Sequence, residues 1–309
     1  MKPDPVIQGP VYPIPVAFDK DENVDLNSIE RYCRYLVEGG AKYLLLTVGT
    51  SRYNLLTRDE MMDINRCVAA FSNDEVCCIV SGPGPNTGST LENIAFAQEA
   101  EKMGADGMLC VYPERWYGDD CLKSFFTNLA DHSPVDIYIH AVPMRDGFGG
   151  VTAIQLFENT VLDDLLEHDR IVGVKEENGK REIYEGLIAK HCRTSTIIGA
   201  GGAMRRHMGD AKLGAQCYLV GVESLRPSLG PAFFDAVHGG NIEDAEKIAK
   251  QNEDPYFPAA VEVGWHRALK GALSILGLMP SYERRPFPGL TEGEYAKLKK
   301  AIQTCGWID

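Results

Sequence analysis

The sequence predicts an α/β fold, a (β/α)8 barrel with a C-terminal helical extension, on three observations. Eight short apolar segments recur, stretches with helical spacing separate them, and beyond about residue 230 the strand signal stops. The repeating part occupies about 225 residues, close to the roughly 250 of a typical (β/α)8 barrel. The strand segments are Val11–Phe18, Lys42–Val48, Val76–Gly82, Gly107–Pro113, Val135–Ala141, Ile171–Glu177, Thr194–Gly201 and Gln216–Glu223. Most are apolar on both faces, as parallel strands covered on both sides should be. Leu26, Ile29, Tyr32, Cys33 and Leu36 repeat at helical spacing, as do Leu91, Ile94 and Ala95 leading to Met103. Ile154 with Phe157, and Leu187 with Ile188, mark two further helices. Thr57 and Glu60 read as a capping box, and Gly39, Gly40 and Gly104 as helix stops. A doubly wound sheet is the alternative, but no Gly-x-Gly-x-x-Gly follows the first strand. We expect residues 1–228 to form the barrel and 229–309 the extension. Ile242–Asn252, Tyr256–Gly277 and Thr291–Thr304 read as helices there, punctuated by prolines.

Composition narrows the function. With 309 residues, 44% hydrophobic and 24% charged, the chain is long enough to bury a core without disulfides or metal. A net charge of −13 argues against nucleic acid and against an anionic membrane surface. No apolar run approaches the roughly 20 residues of a membrane span. The start, Met1-Lys-Pro-Asp-Pro, lacks a signal-peptide core, and a cytoplasmic protein is expected. Most of the nine cysteines, such as Cys77, Cys78, Cys110 and Cys217, lie in apolar runs and read as reduced core thiols. No pair has Cys-x-x-Cys spacing, and no structural metal is expected.

In such a barrel the chemistry sits at the C-terminal ends of the strands. The sixth ends Ile171-Val-Gly-Val-Lys175-Glu-Glu177. Alternation puts Ile171, Gly173 and Lys175 on one face. Inside the barrel, desolvation would lower the lysine pKa and free an amine to attack a carbonyl. Facing outward, Lys175 would instead pair with a neighbouring glutamate in solvent. The fifth strand carries Tyr138 and His140 on one face, with Arg145 in the loop beyond. His140 is either a proton carrier beside the amine or a satisfied core histidine; Arg145 suits a carboxylate. Thr50 and Ser51 after the second strand form either an anion cradle or a helix cap. The Gly-rich run Ser81–Gly88 lacks the Gly-Lys-Ser/Thr of a P-loop and reads as a tight turn. Tyr112-Pro-Glu114-Arg115-Trp116-Tyr117 reads as a rim or subunit contact. An anionic substrate needs local positive charge, and Arg52, Arg115, Arg145 and Lys175 are the rim positions expected to supply it.

The Ile-Val-Gly-Val-Lys175-Glu run, the Leu213–Cys217 stretch, Leu269-Lys270-x-x-Leu273 with Gly277-Leu278, and Arg284-Arg-Pro-Phe-Pro288 together carry a resemblance. The chain resembles the dihydrodipicolinate synthase / N-acetylneuraminate lyase family of Schiff-base aldolases over nearly its whole length. The resemblance implies a barrel with a helical extension, self-association as a dimer or tetramer, and Lys175 as the imine-forming residue. It implies carboxylate binding by Ser51, proton relay by Thr50, and a contact from Arg145 to the aldehyde's carboxylate. The Leu219 carbonyl is expected near the oxo-acid carboxylate, and Arg52 or Arg115, from their rim positions, is expected to share the far end of the substrate with Arg145. The family's Gly-Thr-Thr-Gly-Glu stands here as Gly49-Thr-Ser-Arg-Tyr53, and its Tyr-Asn-x-Pro as His140-Ala-Val-Pro143. Its Pro-Tyr-Tyr stands as Pro113-Glu-Arg115. His140 thus occupies the catalytic tyrosine's place, and Tyr138 lies one layer deeper. With an unperturbed pKa near 6.5 against about 10 for tyrosine, a histidine moves protons near neutrality without a relay.

The expected function is a lyase, an aldolase or dehydratase, that holds pyruvate or a related 2-oxo acid as an imine on Lys175 with no other cofactor. The alternatives are 4-hydroxy-tetrahydrodipicolinate synthase activity or a non-catalytic barrel that binds a 2-oxo acid.

Overall fold

The computed structural model describes residues 6–84, 88–113, 115–147, 153–199 and 201–309. The N-terminal Met1–Pro5, the centre of the Gly-rich run (85–87), Glu114 and Ala200 lie outside the described residues. Eight parallel strands form one sheet: β1 (Gly9–Pro13), β2 (Tyr43–Leu45), β3 (Cys77–Ser81), β4 (Gly107–Val111), β5 (Asp136–Ala141), β6 (Ile171–Glu176), β7 (Thr196–Gly199) and β8 (Cys217–Leu219). From β1 to β7 each strand pairs with the next in sequence, β8 pairs with β1, and β7 packs on β8 to close the cylinder. Eight helices alternate with them: α1 (Leu26–Glu38), α2 (Arg58–Ala69), α3 (Thr90–Met103), α4 (Asp119–His132), α5 (Asn159–Leu165), α6 (Arg181–His191), α7 (Met204–Ala211) and α8 (Leu229–His238). α9 (Ile242–Val263), α10 (Trp265–Ile275) and α11 (Glu292–Thr304) follow. This is the expected barrel with its C-terminal helices.

Local signals explain many of the boundaries. Asp25 caps α1 by accepting from the Ser28 N–H. Thr57 and Glu60 close a capping box on α2, and Gly104 ends α3 at φ 78°. The buried apolar residues divide into an outer shell between sheet and helices and an inner cluster. Val11, Leu45, Ile79, Leu109, Tyr138, Val172, Ile198 and Cys217 make up most of that inner cluster. Tyr138 needs room there: a Cβ on Gly107 or Gly173 would stand 2.7 or 2.8 Å from its ring. Its ring therefore fills the barrel between two glycines.

Three expectations are corrected. Ile154 and Phe157 are not helical. Ile154–Gln155 forms one strand of a small sheet with Arg115–Trp116 and Met144–Asp146, and α5 begins only at Asn159. The first strand stops at Pro13 rather than running to Phe18. The break expected at Pro255 does not occur either. α9 runs through Pro255 and Pro258, because its inner face, including Ala249, Glu253, Tyr256 and Ala260, stays buried. The chain turns instead at Gly264, φ 95°, a backbone geometry that favours glycine.

Candidate active site

Register brings the reactive side chains together. Inward-facing positions align across neighbouring strands as Val111, His140, Lys175 and Ile198. Lys175 and His140 are direct partners on adjacent strands, each only 3% exposed. The Lys175 Nζ stands 2.8 Å from His140 Nε2. Both also meet Glu177 just past the strand end: His140 Nε2 lies 2.7 Å from Glu177 Oε2, and Nζ donates to the same oxygen. The Glu177 side chain keeps 47% of its surface exposed, so a buried pair is joined to a carboxylate in reach of solvent.

A single imidazole nitrogen has one in-plane position for a proton or a lone pair. Nε2 therefore cannot accept from Nζ and donate to Oε2 at once. The trio has two arrangements: an ammonium on Lys175 facing an unprotonated Nε2, or a neutral amine with the Nε2 proton directed at Glu177. Burial works against the charged form of both buried bases. Burial lowers the Lys175 pKa against the opposing pull of Glu177 and Glu176. Burial, with the Lys175 charge, lowers His140 to about 4. Burial works to raise Glu177, but the hydrogen bond from His140 and the Lys175 charge hold it well below the carboxylate range.

A cavity of about 270 Å³ opens above Lys175. Thr47, Gly49, Thr50, Lys175, Glu177, Gly201, Gly202 and Leu219 line its barrel side; Phe257, Val261, Trp265 and His266 line the other. His140 meets this space through Lys175 and Glu177. At the β7 and β8 ends the backbones touch closely: a Cβ on Gly202 would stand 2.1 Å from the Leu219 carbonyl oxygen. His266 Nε2 would lie 3.1 Å from a Cβ on Gly49, and burial with the Arg52 charge lowers its pKa to about 4.

Not every expected residue joins this group. Ser51 is fully buried; its hydroxyl donates to the Ile14 carbonyl (2.6 Å) and accepts from the Thr47 N–H (3.0 Å). It ties the turn to β1, and the cavity-lining hydroxyls are those of Thr47 and Thr50. Arg52, at φ 54°, is 5% exposed rather than at the rim. Its guanidinium meets Glu283 (3.1 Å) and the Gly49 carbonyl (3.0 Å) and stacks 3.9 Å from the Phe287 ring centroid. Arg115 and Arg145 are register partners in the small sheet and do not line the cavity. Lys175, Thr50 and Leu219 do line it.

Sequence reasoning missed Glu177, Thr47 and His266 as site members. Glu177 was within reach, since it stands two residues beyond Lys175 on an alternating strand. The residues from α9 and α10 carried no local signal, because only the fold brings them over the barrel. Among the described residues, no group of three His, Cys, Asp or Glu side chains is gathered as a metal site requires. Nor is any helix among them long and apolar enough to cross a membrane.

Known proteins resemble this chain in sequence and in fold. A family model described as the dihydrodipicolinate synthetase family matches residues 7–305. A 4-hydroxy-tetrahydrodipicolinate synthase of Chlorobaculum parvum is 25% identical, the match covering 98% of this chain and 99% of that protein. One of Streptomyces coelicolor is 29% identical, covering 94% and 92%. Among solved structures, the dihydrodipicolinate synthase of Bacteroides thetaiotaomicron superposes with a TM-score of 0.84 at 18% identity, covering 97% and 99%. A prophage protein of E. coli K12 in the dihydrodipicolinic acid synthase family, solved with pyruvate, gives 0.83 at 18%, covering 98% and 100%.

Proposed function

The chain belongs to the dihydrodipicolinate synthetase family, and from that premise we propose that Lys175, His140 and Glu177 run a Schiff-base lyase, an aldolase or dehydratase, on pyruvate or a related 2-oxo acid. The observation that supports it best is a dry lysine at the cavity floor, hydrogen-bonded to a histidine and a carboxylate.

The neutral Nζ adds to the C2 carbonyl carbon of the oxo acid. Its two N–H protons end on the departing oxygen, which leaves as water; the third proton of the ammonium, passed beforehand to His140 Nε2, returns to the imine nitrogen and leaves Nε2 unprotonated. The Thr47 hydroxyl accepts from the Thr50 N–H, so its own hydrogen, like that of Thr50, is free to donate to the substrate carboxylate. His140 then removes a proton from C3, and Glu177 stabilises the imidazolium that forms. The resulting enamine attacks a second carbonyl carbon, whose oxygen takes the proton from His140. Cleavage is the reverse, and elimination of a C4 hydroxyl as water passes through the same enamine. Hydrolysis of the imine restores the amine. In this scheme no cofactor is needed beyond the imine itself.

Residues 1–228, with α8 packed on β1, make the catalytic barrel in this reading, and the rest of 229–309 is an extension that covers its mouth. The working form is a cytoplasmic homo-oligomer, a dimer or tetramer. The test is borohydride reduction with pyruvate, then digestion and mass measurement: an adduct on Lys175 supports the reading, and its absence with pyruvate and sugar-derived 2-oxo acids counts against it. The names of the curated relatives favour a second reading, 4-hydroxy-tetrahydrodipicolinate synthase activity. Robust condensation of pyruvate with aspartate semialdehyde would establish it, with His140 in the tyrosine's place.

A further inference from the structure

The imine accounts for one end of the cavity, and the opposite wall is of a different kind. Phe257 and Val261 from α9 and Trp265 at the start of α10 form it. The Phe257 and Trp265 rings lie 5.9 Å apart at 40°, brought together where the chain turns at Gly264. Val261, 60% exposed, carries this apolar wall out to the solvent edge of the cavity. Charge points the same way. Among the described lining residues, Lys175 and His266 are the only basic side chains. His266 is held neutral by its burial, and Lys175 is committed to the oxo acid. Arg52 is spent on Glu283, and Arg115 and Arg145 stand in the small sheet. Glu177 is an anion at the same cavity, in a chain of net charge −13. A second carboxylate or phosphate seated on this wall would meet no lining cation, since Lys180, Arg181 and Arg206 line the adjoining cavity beyond Glu177 and Gly201, where Asp210 pairs with both arginines; a polyol would meet aromatic and aliphatic surface in place of donors.

We infer that the carbonyl partner, the aldehyde joined in condensation or released in cleavage, is an uncharged aryl or branched-alkyl aldehyde seated on Phe257, Val261 and Trp265. The inference rests on the imine reading of Lys175. The cavity, about 270 Å³, suits a three-carbon oxo acid with one ring and little more.

The experiment supplies pyruvate with benzaldehyde, glyceraldehyde and aspartate semialdehyde in turn and compares kcat/KM. The expected result is a preference of at least about tenfold for benzaldehyde. Trp265→Ala should cut the benzaldehyde-to-glyceraldehyde ratio by about tenfold. Val261→Arg, at an exposed position where folding should tolerate it, should raise the ratio of aspartate semialdehyde to benzaldehyde by a similar factor. Borohydride labelling of Lys175 by pyruvate is run on every sample. Failure to label overturns the imine reading and this inference together. Labelling with a preference for the charged or polyol aldehyde, with equal rates for all three, or with no turnover of any, overturns the aldehyde assignment alone.

Discussion

Three titratable groups within one hydrogen-bond length cannot all keep their ordinary protons, and at the scale of single residues this sets testable behaviour. Glu177 supports the proton on Lys175 that burial works to remove. In Glu177→Gln that support is gone, the lysine pKa falls further, and the acid limb of the rate profile moves to lower pH. The kcat should also fall, by about 10²-fold, with the loss of the group that steadies the imidazolium. A profile that stays put or moves up in pH would contradict the arrangement. His140→Asn should lower kcat by about 10²- to 10⁴-fold while leaving borohydride labelling by pyruvate in place. Lys175→Met should abolish both turnover and labelling and leave the protein folded, as circular dichroism and a melting curve would report. Much of this was legible beforehand: alternation put Lys175 on one face, and the strand ends put His140 beside it. Ser51 and Arg52 were not. Whether a hydroxyl or a guanidinium faces a cavity depends on what else needs it, and Ile14 and Glu283 are 37 and 231 residues away.

At the scale of elements, the segment after α10 works as a latch on the β2 turn. Arg284 bonds Glu60 (2.7 Å) and the Leu55 carbonyl (2.9 Å), while Glu283 takes Arg52. Both partners of the Arg52–Glu283 pair are nearly buried, so removing one strands the other. Arg52→Ala should cost roughly 3–5 kcal/mol, read from chemical denaturation, and should raise the KM for the oxo acid because Thr50 sits in the same turn. Gly202→Ala should be worse tolerated, since its Cβ would fall inside the Leu219 carbonyl, and a low folded yield is the expected readout. Helix boundaries were legible where capping fixed them, as at Thr57 and Gly104. The run of α9 through two prolines was not, because burial of its inner face outweighs a local rule that treats Pro255 as a stop.

For the whole molecule, buried histidines tie stability to pH. His140 and His266 are lowered to about 4 and His207 to about 3, from about 6.5 when unfolded, chiefly by burial. Between pH 6.5 and 4 the unfolded chain binds more protons, so stability is complete above about 6.5 and falls as the pH drops. The melting temperature should decline steadily from pH 7 to 4.5, and His207→Phe should flatten that decline; a profile flat across this range would contradict it. The barrel was legible because its repeat runs on through most of the chain. Its cover was not, since α9 and α10 reach the mouth only once all eight strands are in place.

The aromatic wedge of Tyr138 between Gly107 and Gly173, with the rest of the inner apolar cluster, fills the barrel beneath Lys175, and among the described residues the cavity above the lysine is the way out. The water expelled as the imine forms has to leave by the mouth through which the aldehyde enters. The two therefore take turns, and the enzyme should obey a ping-pong kinetic scheme in which oxo acid binds first and excess aldehyde competes with it for the doorway.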